Sequence, residues 1–89
     1  MKTSIASNEV IHFIGIGGIG MSGLAQIMTN MGFQIQGSDL NYNKNIDRLI
    51  KVGIKIYIGH NPKNIKKATM VVFSSAIKEN NSELVASKV

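Results

Sequence analysis

Two apolar patterns take turns along the chain: short runs that stop at glycine or serine, and longer stretches in which apolar residues return every three or four positions. Val10–Ile14, interrupted only by His12 and ending at Gly15, reads as a strand buried on both faces of a parallel sheet. Over 19–31 the residues Ile19, Leu24, Ile27, Met28 and Met31 recur at helical spacing, and Gly32 stands where a left-handed cap belongs. A first helix is expected there, with those residues as its apolar face. Phe33 and Ile35 then alternate with Gln34 and Gln36, a second strand over 33–37 that stops at Ser38 and Asp39.

A polar loop, 41–45, precedes Ile46, Leu49, Ile50 and Val52, which share one face of a second helix closed by Gly53. Positions 54–58 form a third strand, Asn61 and Pro62 are a cap and first position of a helical turn or two, and Met70–Phe73 is a fourth, buried strand. Ser82, Glu83, Leu84 and Val85 begin another helix. Strands alternating with helices call for parallel pairing through right-handed crossovers, hence a three-layer α/β sandwich of Rossmann type. The expected strand order is 3-2-1-4, with a further strand lost if the chain is a truncated piece of something longer. Positions 1–9 are expected to be a flexible N-terminus and 10–89 a single domain.

The glycine turn Gly15-Ile16-Gly17-Gly18-Ile19-Gly20 satisfies GxGxxG through Gly15, Gly17 and Gly20, between a strand and a helix where the chemistry requires it. Gly15 permits the tight turn, Gly17 lets a phosphate approach the backbone, and Gly20 is expected to let the helix pack closely on the sheet. The N–H groups of the first helical turn lack intrahelical acceptors, so Gly17, Gly18, Ile19, Gly20, Met21 and Ser22 are the candidate diphosphate contacts. Two or three charge-assisted hydrogen bonds of roughly 1.5–3 kcal/mol each would outweigh a helix-dipole contribution of about 0.3–2 kcal/mol. The Ser22 hydroxyl either adds a donor or bonds back into its own helix. Asp39 follows Gly20 by 19 residues at the end of the second strand, where such folds place an acid against a ribose; the plainer role is to cap a turn. Ser38, His60, Ser74, Ser75 and Ala76 reach the same edge, and a turn role competes with ligand contact at both serines. His12, at the opposite end of its strand, reads as structural.

Composition adds limits. The chain has 89 residues, five aromatics, no Cys, and ten Lys and Arg against five Asp and Glu, a formal charge of +5. Scattered lysines with few aromatics describe a solvated surface better than a nucleic-acid groove. Without Cys there are no disulfides, thiolate metal sites or thiol nucleophile, and the solitary His60 makes a metal site improbable. No apolar run is long enough to span a bilayer and the N-terminus lacks a signal-peptide core, so the cytoplasm is the expected compartment and no membrane partner is expected.

Four segments, HFIGIGGIGMSGLAQIM (12–28), GSDL (37–40), IYIGH (56–60) and VVFSSAIKENN (71–81), resemble the N-terminal domain of the UDP-N-acetylmuramate:L-alanine ligases of the Mur ligase family. The resemblance covers nearly everything from Val10 onward. It implies a domain that holds the UDP end of UDP-N-acetylmuramate, diphosphate on 17–22, and ribose and uracil among Ser38, Asp39, His60 and 74–76. It also implies a parent enzyme of peptidoglycan synthesis in which ATP and magnesium activate a carboxylate for attack by L-alanine. The family's Gly-Lys-Thr-Thr loop has no counterpart in these residues, so the chain by itself is expected to hold no ATP and form no amide. Thr69 stands where an Asp is usual and Asn81 where a Pro is usual, both in connections outside the expected contacts. On the glycine turn and Asp39 alone, an NAD-binding domain of a dehydrogenase or gating module fits equally well.

Overall fold

The fold is described from a computed structural model over residues 9–88; the flexible N-terminus expected for 1–9 lies, apart from Glu9, outside the described residues. Four parallel strands, β1 (Val10–Ile14), β2 (Gln34–Asp39), β3 (Lys55–Ile58) and β4 (Met70–Phe73), form one sheet in the order β3-β2-β1-β4. This is the expected doubly wound arrangement. Helices α1 (Ile19–Asn30) and α2 (Lys44–Lys51) cover one face, while a 3₁₀ turn (Pro62–Ile65) and α3 (Ser82–Ser87) cover the other. No helix among the described residues is long and apolar enough to cross a membrane.

β1 is central and buried on both sides, and its alternation divides the interior into two chemically different layers. Ile11 and Phe13 face α1 and α2 in a cluster with Ile16, Ala25, Ile35, Ile46, Leu49 and Ile54. His12 faces the other way with Gln36 and Ser38 of β2, in register His12 with Gln36 and Ile14 with Ser38. The core is therefore apolar under α1 and α2 and largely polar under α3. β2 runs through Ser38 and Asp39 rather than stopping before them, because both continue the ladder with Tyr57 and Ile58 of β3.

The helix-face expectation for α1 is corrected by the structure. Ile19 is 90% exposed, and Leu24, Ile27 and Met31 also face outward. The buried positions are Ser22 and Ala25, with Met21 and Met28 packed beside them. Met21, Ala25 and Met28 have the same helical spacing as the outward residues, so periodicity alone does not decide which stripe meets the sheet.

Close backbone approach is also not where it was expected. A Cβ on Gly20 would meet nothing within 4 Å, so Gly20 is not a packing glycine. The packing glycine is Gly37, where a Cβ would lie 2.5 Å from Ile16 Cδ1 and 2.9 Å from the Phe13 carbonyl oxygen. Ile16 thus folds back over β2 in the space Gly37 leaves open, and the turn leaving β1 depends on a residue 21 positions later. Gly37→Ala is expected to destabilise the domain by about 1–3 kcal/mol, as overpacking does; urea unfolding measures it, and a loss below a few tenths would contradict this packing.

Candidate functional site

The glycine turn begins at Gly15, whose φ of +80° only glycine adopts without strain. Its N–H and that of Ile16 both donate to the Ser38 carbonyl at the end of β2. The turn is then held from three sides. The Gly17 N–H donates to Asp39 Oδ2 at 2.8 Å, and the Gly17 carbonyl accepts from Asn45 Nδ2 at 3.0 Å and Asn43 Nδ2 at 3.4 Å. Asn43 also caps α2, its Oδ1 accepting from the Ile46 N–H. The polar loop expected only to connect two elements therefore pins the turn.

Gly17 consequently has another reason to be glycine than room for a phosphate. A Cβ there would lie 2.8 Å from Asp39 Oδ2 and 3.0 Å from Asn43 Nδ2 and Ile46 Cδ1. A side chain at this position would disturb the turn itself. Of the six amides from Gly17 to Ser22, Gly17 gives its hydrogen to Asp39, Gly18 to the Gly15 carbonyl and Ser22 to the Gly18 carbonyl. The N–H groups of Ile19, Gly20 and Met21 have no acceptor among the described residues. They are consecutive, exposed or half-buried, and at the positive end of a 12-residue helix. The Ser22 hydroxyl bonds back to the Ile19 carbonyl at 3.1 Å, so of its two expected roles the structure has the local one.

Asp39 shows its capping role directly, since Oδ1 accepts from the Leu40 N–H and Oδ2 from Gly17. Each carboxylate oxygen retains a lone pair for a further donor. Beside it opens a cleft of about 380 Å³, walled by Leu40 and His60 on one side and by Ala76, Ile77, Lys78, Asn80, Asn81 and Ser82 on the other. Ile77 also touches Gly15, so the cleft abuts the glycine turn. Such a volume suits a nucleoside-sized group, near the lower end of the roughly 300–1,000 Å³ range of ligand pockets.

The expected site residues divide accordingly. His60 and Ala76 line the cleft, and Asp39 stands between cleft and turn. Ser74 shapes the turn after β4, its hydroxyl accepting from the Ala76 N–H and its carbonyl from the Ile77 N–H, while Ser75 is exposed and outside the cleft wall. Asn81 does not stand apart from the site: it borders the cleft and caps α3 through the N–H groups of Glu83 and Leu84. Thr69 ties the start of β1, its hydroxyl donating to Glu9 and accepting from the Val10 N–H.

Ser38 is completely buried and does not reach the cleft. Its hydroxyl donates to Glu83 Oε1 at 2.5 Å and lies 2.9 Å from His60 Nδ1. Glu83, which nothing in the sequence singled out, is the centre of the polar layer. Oε1 also accepts from His12 Nε2 at 2.8 Å, and Oε2 accepts from Asn64 Nδ2 at 2.6 Å and the Asn61 N–H at 3.1 Å. Gln36 Nε2 donates to the Asn64 carbonyl, which fixes the amide's orientation, and meets His12 Nδ1 at 2.8 Å. His12 therefore accepts at Nδ1 and donates at Nε2, a structural histidine as expected.

Burial pushes the Glu83 carboxyl upward, and the hydrogen bonds from His12, Ser38, Asn64 and the Asn61 N–H outweigh it, holding the group from 4.5 down to about 2. The depression corresponds to about 3 kcal/mol of stability above the unfolded-state value.

The model described as the Mur ligase family, catalytic domain, matches residues 10–89. The chain belongs to the Mur ligase family. Among its relatives, the UDP-N-acetylmuramate--L-alanine ligase of Pelagibacter ubique is 64% identical over 89 residues, all of this chain and 19% of that protein. The enzyme of the same name from Rickettsia bellii is 54% identical over 84 residues, 94% of this chain and 18% of its own length. The crystal structure of the UDP-N-acetylmuramate-alanine ligase of Thermotoga maritima superposes with a TM-score of 0.84 at 35% identity, over 88% of this chain and 18% of that one. The chain thus spans about one fifth of the length of these Mur ligases, where it corresponds to the N-terminal domain.

Because the folded-state value of Glu83 is depressed, its contribution is present above about pH 4.5 and is lost as the pH falls toward 2. The unfolding free energy should drop by about 3 kcal/mol over that window. Glu83→Gln should be less stable at pH 7 and show a much shallower decline; urea titrations at a series of pH values decide it, and identical slopes in both proteins would contradict the assignment.

Proposed function

We propose that this domain holds the UDP end of UDP-N-acetylmuramate for a ligase that adds L-alanine to it in peptidoglycan precursor synthesis. The observation that carries this reading is the placement of three free first-turn amides, Ile19, Gly20 and Met21, beside a nucleoside-sized cleft. The diphosphate takes those amides, and Gly17, Gly18 and Ser22 shape the turn that presents them. Asp39 accepts a ribose hydroxyl while retaining Gly17. The uracil enters the cleft between His60 and Ala76, with Ser38 behind His60 and Ser74 and Ser75 forming the bend that sets the far wall. Lys78 adds a positive charge that suits an anionic ligand.

The sheet and turn alone serve NAD equally well, and the names borne by the relatives favour the uridine nucleotide. ATP and magnesium belong to the reaction of the parent ligase. The 89 residues contain neither Gly-Lys-Thr nor Gly-Lys-Ser, which supports placing the ATP loop outside them. Binding and positioning are this domain's share, the carboxylate activation and the amino acid lie with residues outside it, and a cytoplasmic setting fits such a ligase.

Calorimetric titration with UDP-N-acetylmuramate, UDP and NAD in parallel should give heat with the two uridine ligands and little with NAD; preference for NAD would overturn the reading. ADP should not form when the 89-residue chain is mixed with UDP-N-acetylmuramate, L-alanine and ATP. Gly20→Val places a side chain in open space beside the free amides, where it meets ligand rather than protein. It should weaken UDP binding about tenfold or more, the equivalent of one charge-assisted hydrogen bond, with unfolding unchanged; full affinity would put the diphosphate elsewhere.

A further inference from the structure

A carboxylate accepts and cannot donate, and this fixes the direction of every bond leading from Glu83 toward the cleft. Ser38 lies 2.5 Å from Glu83 Oε1 and must give its hydroxyl hydrogen to it. The Ser38 oxygen is then an acceptor toward His60 Nδ1 at 2.9 Å, so Nδ1 carries the hydrogen. His60 Nδ1 also lies 3.5 Å from Oε1, which favours the same placement. The side chain of His60 is only 11% exposed, yet its Nε2 has no partner among the described residues and is not closed off from solvent. His60 lines the cleft, and in a neutral ring with its hydrogen on Nδ1 the ring nitrogen left without a partner, Nε2, is a lone-pair acceptor.

We infer that Glu83, which itself never reaches the cleft, is a positioning residue: acting through Ser38, it holds His60 with Nε2 as a hydrogen-bond acceptor and so selects ligands that present a donor. The inference rests on the uridine reading for the identity of that ligand. Uracil presents an N3–H flanked by carbonyls, whereas cytosine presents a bare N3 beside an amino group. A ring fixed as an acceptor matches the first and meets the second lone pair to lone pair. Discrimination between the two pyrimidines thus originates in a buried carboxylate on α3, two hydrogen bonds away from His60 and three from the base.

Nitrogen-15 NMR of the imidazoles, at a pH where the rings are neutral, reads the His60 tautomer in the ligand-free 89-residue chain. The Nδ1–H form is expected; a predominantly Nε2–H ring would overturn the inference. UDP should bind about tenfold or more tighter than CDP, the range expected when a buried acceptor is left unpaired. In Glu83→Gln the side-chain amide can donate to Ser38, the Nε2–H form should gain population, and the UDP to CDP ratio should collapse to within about threefold. A purely structural role would weaken both nucleotides alike, leaving ratio and tautomer unchanged, and that result would overturn the proposal. Should Glu83→Gln not fold, Ser38→Ala decides: with the bridging hydroxyl removed the Nδ1–H preference and the UDP to CDP ratio should both fall, and an unchanged tautomer and ratio would overturn the relay through Ser38. If neither UDP nor CDP binds, the uridine reading fails, and the tautomer measurements still test the role of Glu83 on their own.

Discussion

One buried carboxylate connects the parts of this domain that face the cleft. Glu83 collects a hydrogen from β1 through His12, one from β2 through Ser38, and two from the 3₁₀ region through Asn61 and Asn64. An ionised group without solvent is tolerated only when its oxygens are satisfied, and here four donors converge on two oxygens. α3 has six residues, too few to be stable by itself. Its glutamate ties the cleft wall formed by 76–82 to the sheet through charge and hydrogen bonds. Leu84 supplies the apolar complement.

The glycine turn is held in place for a different reason. Asp39, Asn43 and Asn45 clamp both the N–H and the carbonyl of Gly17, and Ile16 is folded into the gap above Gly37. The turn has its shape from the protein's own contacts, and the amides of Ile19, Gly20 and Met21 are left displayed at its rim. A ligand meeting such a turn has little loop ordering to offset, which favours affinity from few contacts. Asp39 closes the turn through Gly17 and Leu40 next to the cleft wall at Leu40, so the capping role weighed against a ribose contact is the one its observed bonds display.

The strands, their order and the glycine turn were legible in the sequence because each rests on local chemistry: short apolar runs, glycine after a helix, and GxGxxG between strand and helix. The Thermotoga maritima ligase structure carries the same fold over 88% of this chain. What was not legible depends on distances between remote residues. Two stripes of α1 have helical periodicity, and only the packing of the helix on the sheet tells which of Ala25 and Leu24 is interior. The packing role expected of Gly20 falls to Gly37, for which none was expected, because Ile16 reaches back across β2, a contact no spacing encodes. Ser38 was placed at the right edge, yet its hydroxyl turns inward, because the partner that draws it is Glu83, 45 residues later and one position along a helix too short to show a period. Without three-dimensional proximity, that acid looks like any other surface glutamate.

The two layers separated by β1 have a consequence for folding accuracy. Sliding β1 by one residue against β2 would exchange its faces, burying His12 among Ile35, Ile46 and Leu49 with no acceptor and pushing Phe13 toward the carboxylate of Glu83. A sheet with hydrocarbon on both sides tolerates such slips at modest cost; one with hydrocarbon above and a hydrogen-bonded layer below does not. The polar layer thus proofreads strand alignment, and the shape of the cleft at the strand ends is inherited from it.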